Sequence, residues 1–125
     1  MAEFETKDSG QRAEFATGMV RDTSEGKARF DLIHPLGIPY KEQILTRFAE
    51  LMARGAKKYT QRNWEKAGTQ EELDRFKESA ARHFEQWFNG EVDEDHAVAV
   101  FFNIMAYDAT VYKMNNQSQQ SDLPW

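Results

Sequence analysis

The stretch "AVAVFFNIMAY", residues 97–107, constrains the fold more than any other part of the chain. It is apolar nearly all the way round a helical projection, with Asn103 as the exception. A helix of that kind cannot rest one face on a core and turn the other to water. It needs neighbours on several sides. The segment therefore predicts a central helix from about Glu94 to about Met114, and the rest of the chain must supply the elements that cover it.

Two further helices are legible from spacing. Ile44, Phe48, Leu51 and Met52 follow i, i+4, i+7, i+8 and make one apolar face, with Gly55 as either its end or a close-packing point within it. Thr69 opens the second: "TQEE" offers a capping box with Glu72, and early acids suit the helix dipole. Phe76, Ala80, Phe84, Trp87 and Phe88 form its buried face, and "NG" at 89–90 ends it. Between them "GAKKYTQRNWEKAG" reads as a short helix and a turn. Residues 1–30 are polar, with Gly10, Gly18 and Gly26 but no repeated unit around them, and read as an arm or loop. Pro35 and Pro39 argue against an uninterrupted helix after it. The tail "NNQSQQSD" is polar, low in complexity and expected to be disordered. No strand pattern competes. The expectation is an all-α chain with a largely non-helical N-terminal arm at 1–30, a helical domain at 31–116 and a tail at 117–125.

With 125 residues there is room for one domain, and a net charge of −5 argues against polymeric nucleic acid or an anionic membrane as partner. The absence of cysteine excludes disulfides, thiolate catalysis and thiolate zinc sites. No run approaches transmembrane length, and neither end has a positive segment followed by an apolar one, so a cytoplasmic location is expected. Trp87, Phe88, Phe101 and Phe102 are more aromatic area than one small bundle usually covers. A homodimer or homotetramer is expected, against a monomer whose arm covers that surface.

Two groups of residues could carry chemistry. "RHFEQWFNGEVDEDH", residues 82–96, puts Glu91, Asp93, Glu94 and Asp95 into five positions. Asp93 could cap the last helix, with Glu94 and Asp95 in its first turn. Capping does not account for four acids, and crowded carboxylates are commonly neutralised by a divalent cation with oxygen ligands. A solvated acidic turn and a metal site both remain open on spacing alone. Mg²⁺ or Mn²⁺ would fit, and Mn²⁺ would better tolerate His83 or His96 as a further ligand. His83 projects near the buried side of its helix, where a lone histidine is more often a hydrogen-bonded core residue. Asn103 shares a face with His96 and could orient a ligand or tie two helices together. An HD-type phosphohydrolase needs His followed by Asp; the order here is Asp95–His96.

The second group is basic. Arg54, Lys57, Lys58, Arg62 and Lys66 are opposed only by Glu65, with Tyr59 and Trp64 interleaved. Cations beside aromatic rings suit a nucleotide, although a solvated helix and turn would read the same way. "EGKARFDL" adds Lys27 and Arg29 but lacks P-loop spacing. An acidic cluster with basic groups is what a metal-dependent hydrolase of a nucleoside triphosphate requires.

"TGMVRDTSEGKARFDLI", "RGAKKYTQRNWEKAG" and "SAARHFEQWFNGEVDEDHAVAVFFNI" together resemble the phage dATP/dGTP diphosphohydrolase family, grouped with the MazG-like all-α nucleotide pyrophosphohydrolases, over about Thr17 to Asn103. The resemblance implies a MazG-like helical bundle, conversion of a purine deoxynucleoside triphosphate to monophosphate and pyrophosphate with Mg²⁺ or Mn²⁺, and a phage-encoded role in remodelling a host's nucleotide pool. The chain departs from the MazG pattern of Glu-x-x-Glu on one helix and Glu-x-x-Asp on the next. It has "EVDE" at 91–94 in a turn and no later Glu-x-x-Asp, because Glu94 is the last glutamate. On this reading Glu91, Asp93, Glu94 and Asp95, with His83, hold the metal, and Glu91, Glu94 and Asp95 are catalytic. Lys27, Arg29, Lys57, Lys58 and Arg62 balance phosphate charge, and Asn63, Trp64 and Asn103 shape the nucleotide pocket. The incomplete MazG pattern keeps a non-catalytic nucleotide sponge or sensor as the competing class, with a structural interaction module as a third.

Overall fold

Three helices form where the apolar spacing places them, and the fold is all-α. In the computed structural model, which describes residues 3–117, they are α1 (Ile44–Lys58), α2 (Gln70–Phe88) and α3 (His96–Asn115). Gly55 lies inside α1 rather than at its end, and its carbonyl accepts from the Tyr59 N–H at 2.9 Å. The Thr69 box closes as the sequence expects. Thr69 Oγ1 accepts from the Glu72 N–H at 3.3 Å, and Glu72 Oε1 accepts from the N–H groups of Thr69 and Gly68 at 3.1 and 2.9 Å. Gly90 ends α2 by taking a φ of 78°, open to glycine without steric cost. That conformation lets the N–H groups of Gly90 and Glu91 reach back to the carbonyls of Trp87 and Gln86, which turns the chain sharply into the acidic segment.

The chain divides into two compact units, Met1–His34 and Pro35–Trp125. In the second, α3 is the central element, packed against α2, α1 and the single helical turn at Asn63–Lys66. Val98 and Ala106 are fully buried, and Leu73 and Ala67 nearly so. Edge-to-face contacts of Phe101 with Phe48 (4.6 Å between centroids) and of Phe102 with Trp64 and Phe76 (6.1 and 6.5 Å) hold the surrounding elements on it. Lys113 adds a polar clamp: its Nζ donates to the carbonyls of Glu65 and Ala67, both at 3.0 Å, and so fixes the segment joining α1 to α2. Phe84, Trp87, Phe88, Phe101 and Ile104 remain about half exposed or more.

In the first unit the arm is not merely extended. Strands β1 (Arg12–Glu14) and β2 (Val20–Asp22) pair antiparallel in the register Arg12↔Asp22, Ala13↔Arg21, Glu14↔Val20. Three-residue strands show no usable alternation, so the pattern of apolar residues could not reveal them. The unit has no buried residue among those described; it is held by polar contacts, with Asp22 accepting from Ser9 and lying near Arg12 and Lys27. The expected tail lies, beyond residue 117, outside the described residues. Among the described residues no helix is long and apolar enough to cross a membrane.

Candidate functional site

A groove of about 960 Å³ opens among α1, the 63–66 turn, α2 and α3. Each wall contributes side chains at helical spacing. From α1 come Arg54, Gly55 and Lys58; from the joining segment Tyr59, Arg62, Asn63 and Trp64. From α2 come Glu72, Arg75, Ser79 and His83, one turn apart along one face, and from α3 come Ala99, Phe102 and Asn103. Asp93, Glu94 and Asp95 lie at the end of the groove beside His83. The acidic turn and most of the basic block, far apart in sequence, thus border one concavity.

At the acidic end two histidines meet. His83 Nδ1 and His96 Nδ1 are 2.8 Å apart, and His96 Nε2 lies 2.7 Å from Asp93 Oδ1. A carboxylate only accepts, so His96 Nε2 carries the proton toward Asp93 and, in the neutral ring, Nδ1 presents a lone pair toward His83. His96 is only 2 % exposed. The bond from His96 holds the Asp93 carboxyl below its usual range. Burial pushes His83 below the ordinary imidazole value, assisted by Arg82 and opposed by Glu94.

Asp93 therefore does not cap the last helix. That position belongs to Asp95, and α3 begins at His96, two residues later than the sequence suggests. Asp95 is also the partner of Arg47 from α1. Arg47 Nε donates to Oδ2 at 2.8 Å and Nη2 to Oδ1 at 3.1 Å, a bidentate pair that holds Asp95 below the usual carboxylate range.

The donor set fits a divalent cation. His83, Glu94 and His96 each bring one ligand atom within 4.8 Å of the others, and so do Glu91, Asp93 and His96. Glu91 borders a separate concavity of about 360 Å³ with Arg47, Trp87 and Val92, not the main groove. Of the anticipated binding residues, Lys58, Arg62, Asn63, Trp64 and Asn103 line the groove and Lys57 does not. Asn103 is buried and donates from Nδ2 to the Ala99 carbonyl at 2.8 Å. Trp64 is half-buried against Phe102, whereas Tyr59 is 60 % exposed with Lys58 Nζ 5.2 Å from its ring centre. Lys27 and Arg29 belong to the N-terminal unit, where they pair with Asp22 and Asp31 at 3.4 and 2.6 Å.

Arg47, Arg75 and the contacts of His96 with Asp93 and His83 escaped sequence reasoning, although His96 was anticipated as a possible ligand. Arg75 carried a usable signal, since Arg75, Ser79 and His83 recur every four residues. Arg47 carried none: its partner lies 48 positions away.

The chain is thus an all-α bundle with possible cation donors bordering a groove lined by basic and aromatic side chains. The sequence matches the family described as dATP/dGTP diphosphohydrolase, N-terminal, over residues 17–122, and the chain belongs to that family. No curated protein and no solved structure compared with the chain matches it.

Proposed function

We propose that the protein hydrolyses a purine deoxynucleoside triphosphate, dGTP or dATP, to the monophosphate and pyrophosphate, within a MazG-like scheme. The observation that carries this reading is the single groove bordered by His83, Asp93 and Glu94 at one end and by Arg54, Lys58, Arg62 and Arg75 along its walls, inside the segment that matches the family. Water attacks the α-phosphorus and the bond to the bridging α–β oxygen breaks, its electron pair leaving with pyrophosphate. The guanidinium and ammonium groups balance charge on the triphosphate, Arg with planar forks suited to phosphate oxygens. Tyr59 offers an exposed ring face to a base, while Asn63, Trp64 and Asn103 shape the pocket. His83, Asp93, Glu94 and His96 would hold Mg²⁺ or Mn²⁺, with Glu91 as an outlying donor. When bound, such a cation supplies Lewis-acid neutralisation of phosphate charge and a more acidic water. Asp95 acts in this reading through Arg47, as a tie between α1 and α3 rather than as a ligand. The half-exposed face of Phe84, Trp87 and Phe88 supports a homodimer or homotetramer. A phage-encoded enzyme of this kind would act in the host cytoplasm on the purine deoxynucleotide pool.

Incubation with each dNTP and Mg²⁺ or Mn²⁺, followed by chromatography of the products, tests the reading. It requires monophosphate and pyrophosphate from dGTP or dATP in preference to the pyrimidine nucleotides. Tight binding with the nucleotide recovered intact would instead make the chain a nucleotide sponge. Full turnover in Glu94→Gln would remove the groove's acidic end from the site.

A further inference from the structure

We propose that the cation centre is built on two imidazoles, with His83 Nδ1, His96 Nδ1 and the Glu94 carboxylate as ligands and Asp93 as the residue that orients His96, so that the centre selects a transition-metal ion such as Mn²⁺ or Co²⁺ over Mg²⁺. The inference deepens the functional reading above and rests on it only for what the ion is used for.

Its basis is the arrangement of the two rings. Two ring nitrogens face each other at 2.8 Å, and a carboxylate oxygen of Glu94 lies within 4.8 Å of both histidines' donor atoms. Asp93 has already settled one tautomer. With its Nε2 proton directed at Asp93, neutral His96 turns a bare Nδ1 toward His83 and Glu94. In the absence of an ion, a proton on His83 Nδ1 satisfies that lone pair. When an ion enters, moving that proton to His83 Nε2 leaves two lone pairs converging with a carboxylate, with no change in the charge of either ring. A histidine ligand whose second nitrogen donates to a carboxylate is the usual supporting arrangement in metal sites.

The two imidazole ligands are also rigidly placed. His96 is the first residue of α3 and nearly fully buried, and His83 stands on α2, the helix packed against it. Imidazole nitrogen suits Mn²⁺, Co²⁺ and Zn²⁺, whereas Mg²⁺ prefers oxygen and retains its water. A chain relying on its acids alone would show no such preference. The other possible donor set, Glu91, Asp93 and His96, offers a single imidazole and two exposed carboxylates.

The test uses the full chain and the metals alone, without nucleotide. Titration calorimetry with MnCl₂ and MgCl₂ is combined with pulsed electron paramagnetic resonance of the Mn²⁺-loaded protein and the visible spectrum of the Co²⁺-loaded protein. The expected results are Mn²⁺ binding about tenfold or more tighter than Mg²⁺, and ¹⁴N couplings from directly bound imidazole. His83→Gln should weaken Mn²⁺ binding by about tenfold or more while leaving Mg²⁺ unaffected, and Asp93→Asn should weaken Mn²⁺ binding by about tenfold with the nitrogen couplings retained. His83→Gln is preferred to a His96 variant because His96 is buried and its loss could unfold the chain; circular dichroism confirms the fold in each case. Oxygen-only coordination, equal affinity for the two ions, no detectable binding, or an unchanged Mn²⁺ affinity in His83→Gln would each overturn the proposal. The two readings fail separately. Turnover together with an Mn²⁺ affinity that is unchanged in His83→Gln removes the imidazole centre and leaves the hydrolase; nitrogen-coordinated Mn²⁺ without turnover does the reverse.

Discussion

The proposed role of Asp95 as a tie between α1 and α3 has a measurable consequence. Arg47 and Asp95 meet through two near-parallel hydrogen bonds of 2.8 and 3.1 Å, with side chains 32 % and 27 % exposed. Fully exposed pairs contribute about 0–1 kcal/mol, and hydrogen bonds to charged groups about 1.5–3 kcal/mol. A bidentate pair at this depth belongs between those ranges, so the Arg47–Asp95 coupling should be about 1–2 kcal/mol. The assay is a double-mutant cycle in chemical denaturation with chelator present, using Asp95→Ala and Arg47→Met, the latter keeping most of the stem's packing. Asp95→Ala alone should cost more than the coupling, because it also removes negative charge from the N-terminus of α3, worth about 0.3–1 kcal/mol. Thermal midpoints should fall by about 4–8 °C per kcal/mol for a unit of this size. The pH dependence has a definite sign. Asp95 is held below its ordinary value of 3.8 by hydrogen bonds from Arg47, so the coupling is fully present above 3.8 and is lost as the pH falls through the lower folded-state value. A coupling near zero at neutral pH would refute the argument. So would an Asp95→Ala protein of unchanged stability that no longer binds Mn²⁺.

Other perturbations separate fold from function. Gly55 lines the groove from the last turn of α1, and an added Cβ would meet nothing within 4 Å. Gly55→Ala should raise stability by about 0.5–1 kcal/mol in denaturant melts, whereas Gly55→Leu should raise KM by filling the groove. Arg62 is the only non-glycine residue with positive φ among those described, at 60°. Arg62→Gly should leave stability unchanged or raise it by up to about 1 kcal/mol while weakening nucleotide binding in calorimetry. Thr69→Ala removes the α2 cap and should cost about 1 kcal/mol with no change in kcat. Lys113→Met should lower the melting temperature and raise KM, since Lys113 holds the carbonyls at 65 and 67 behind Trp64.

The legibility of this chain follows the range of its interactions. All three helices and the α2 cap were readable because periodicity and capping are local, acting over three to eight residues. The demand of "AVAVFFNIMAY" for neighbours on several sides is met in part by α1, α2 and the 63–66 turn, with Phe101 and Ile104 left about half exposed. The β1–β2 pairing was not readable from apolar alternation, because each strand is three residues long and the pair is closed by backbone bonds between Phe15 and Met19 and between Gly18 and Phe15. In the acidic stretch, composition drew attention to the right residues but could not sort them. Asp93 turns to His96, Asp95 to Arg47, Glu91 to the outer concavity, and Glu94 borders both hollows. The Asp95 choice is made by the packing of α1 against the start of α3, with its partner 48 positions away, which spacing along the chain does not encode.

The most direct test of the central claim is hydrolysis of dGTP and dATP in ¹⁸O-labelled water with Mn²⁺, with the products separated and weighed by mass spectrometry. The expected result is one labelled oxygen on the deoxynucleoside monophosphate and unlabelled pyrophosphate, with the reaction abolished in Glu94→Gln. Label in pyrophosphate, release of diphosphate and inorganic phosphate, or recovery of intact triphosphate would contradict it.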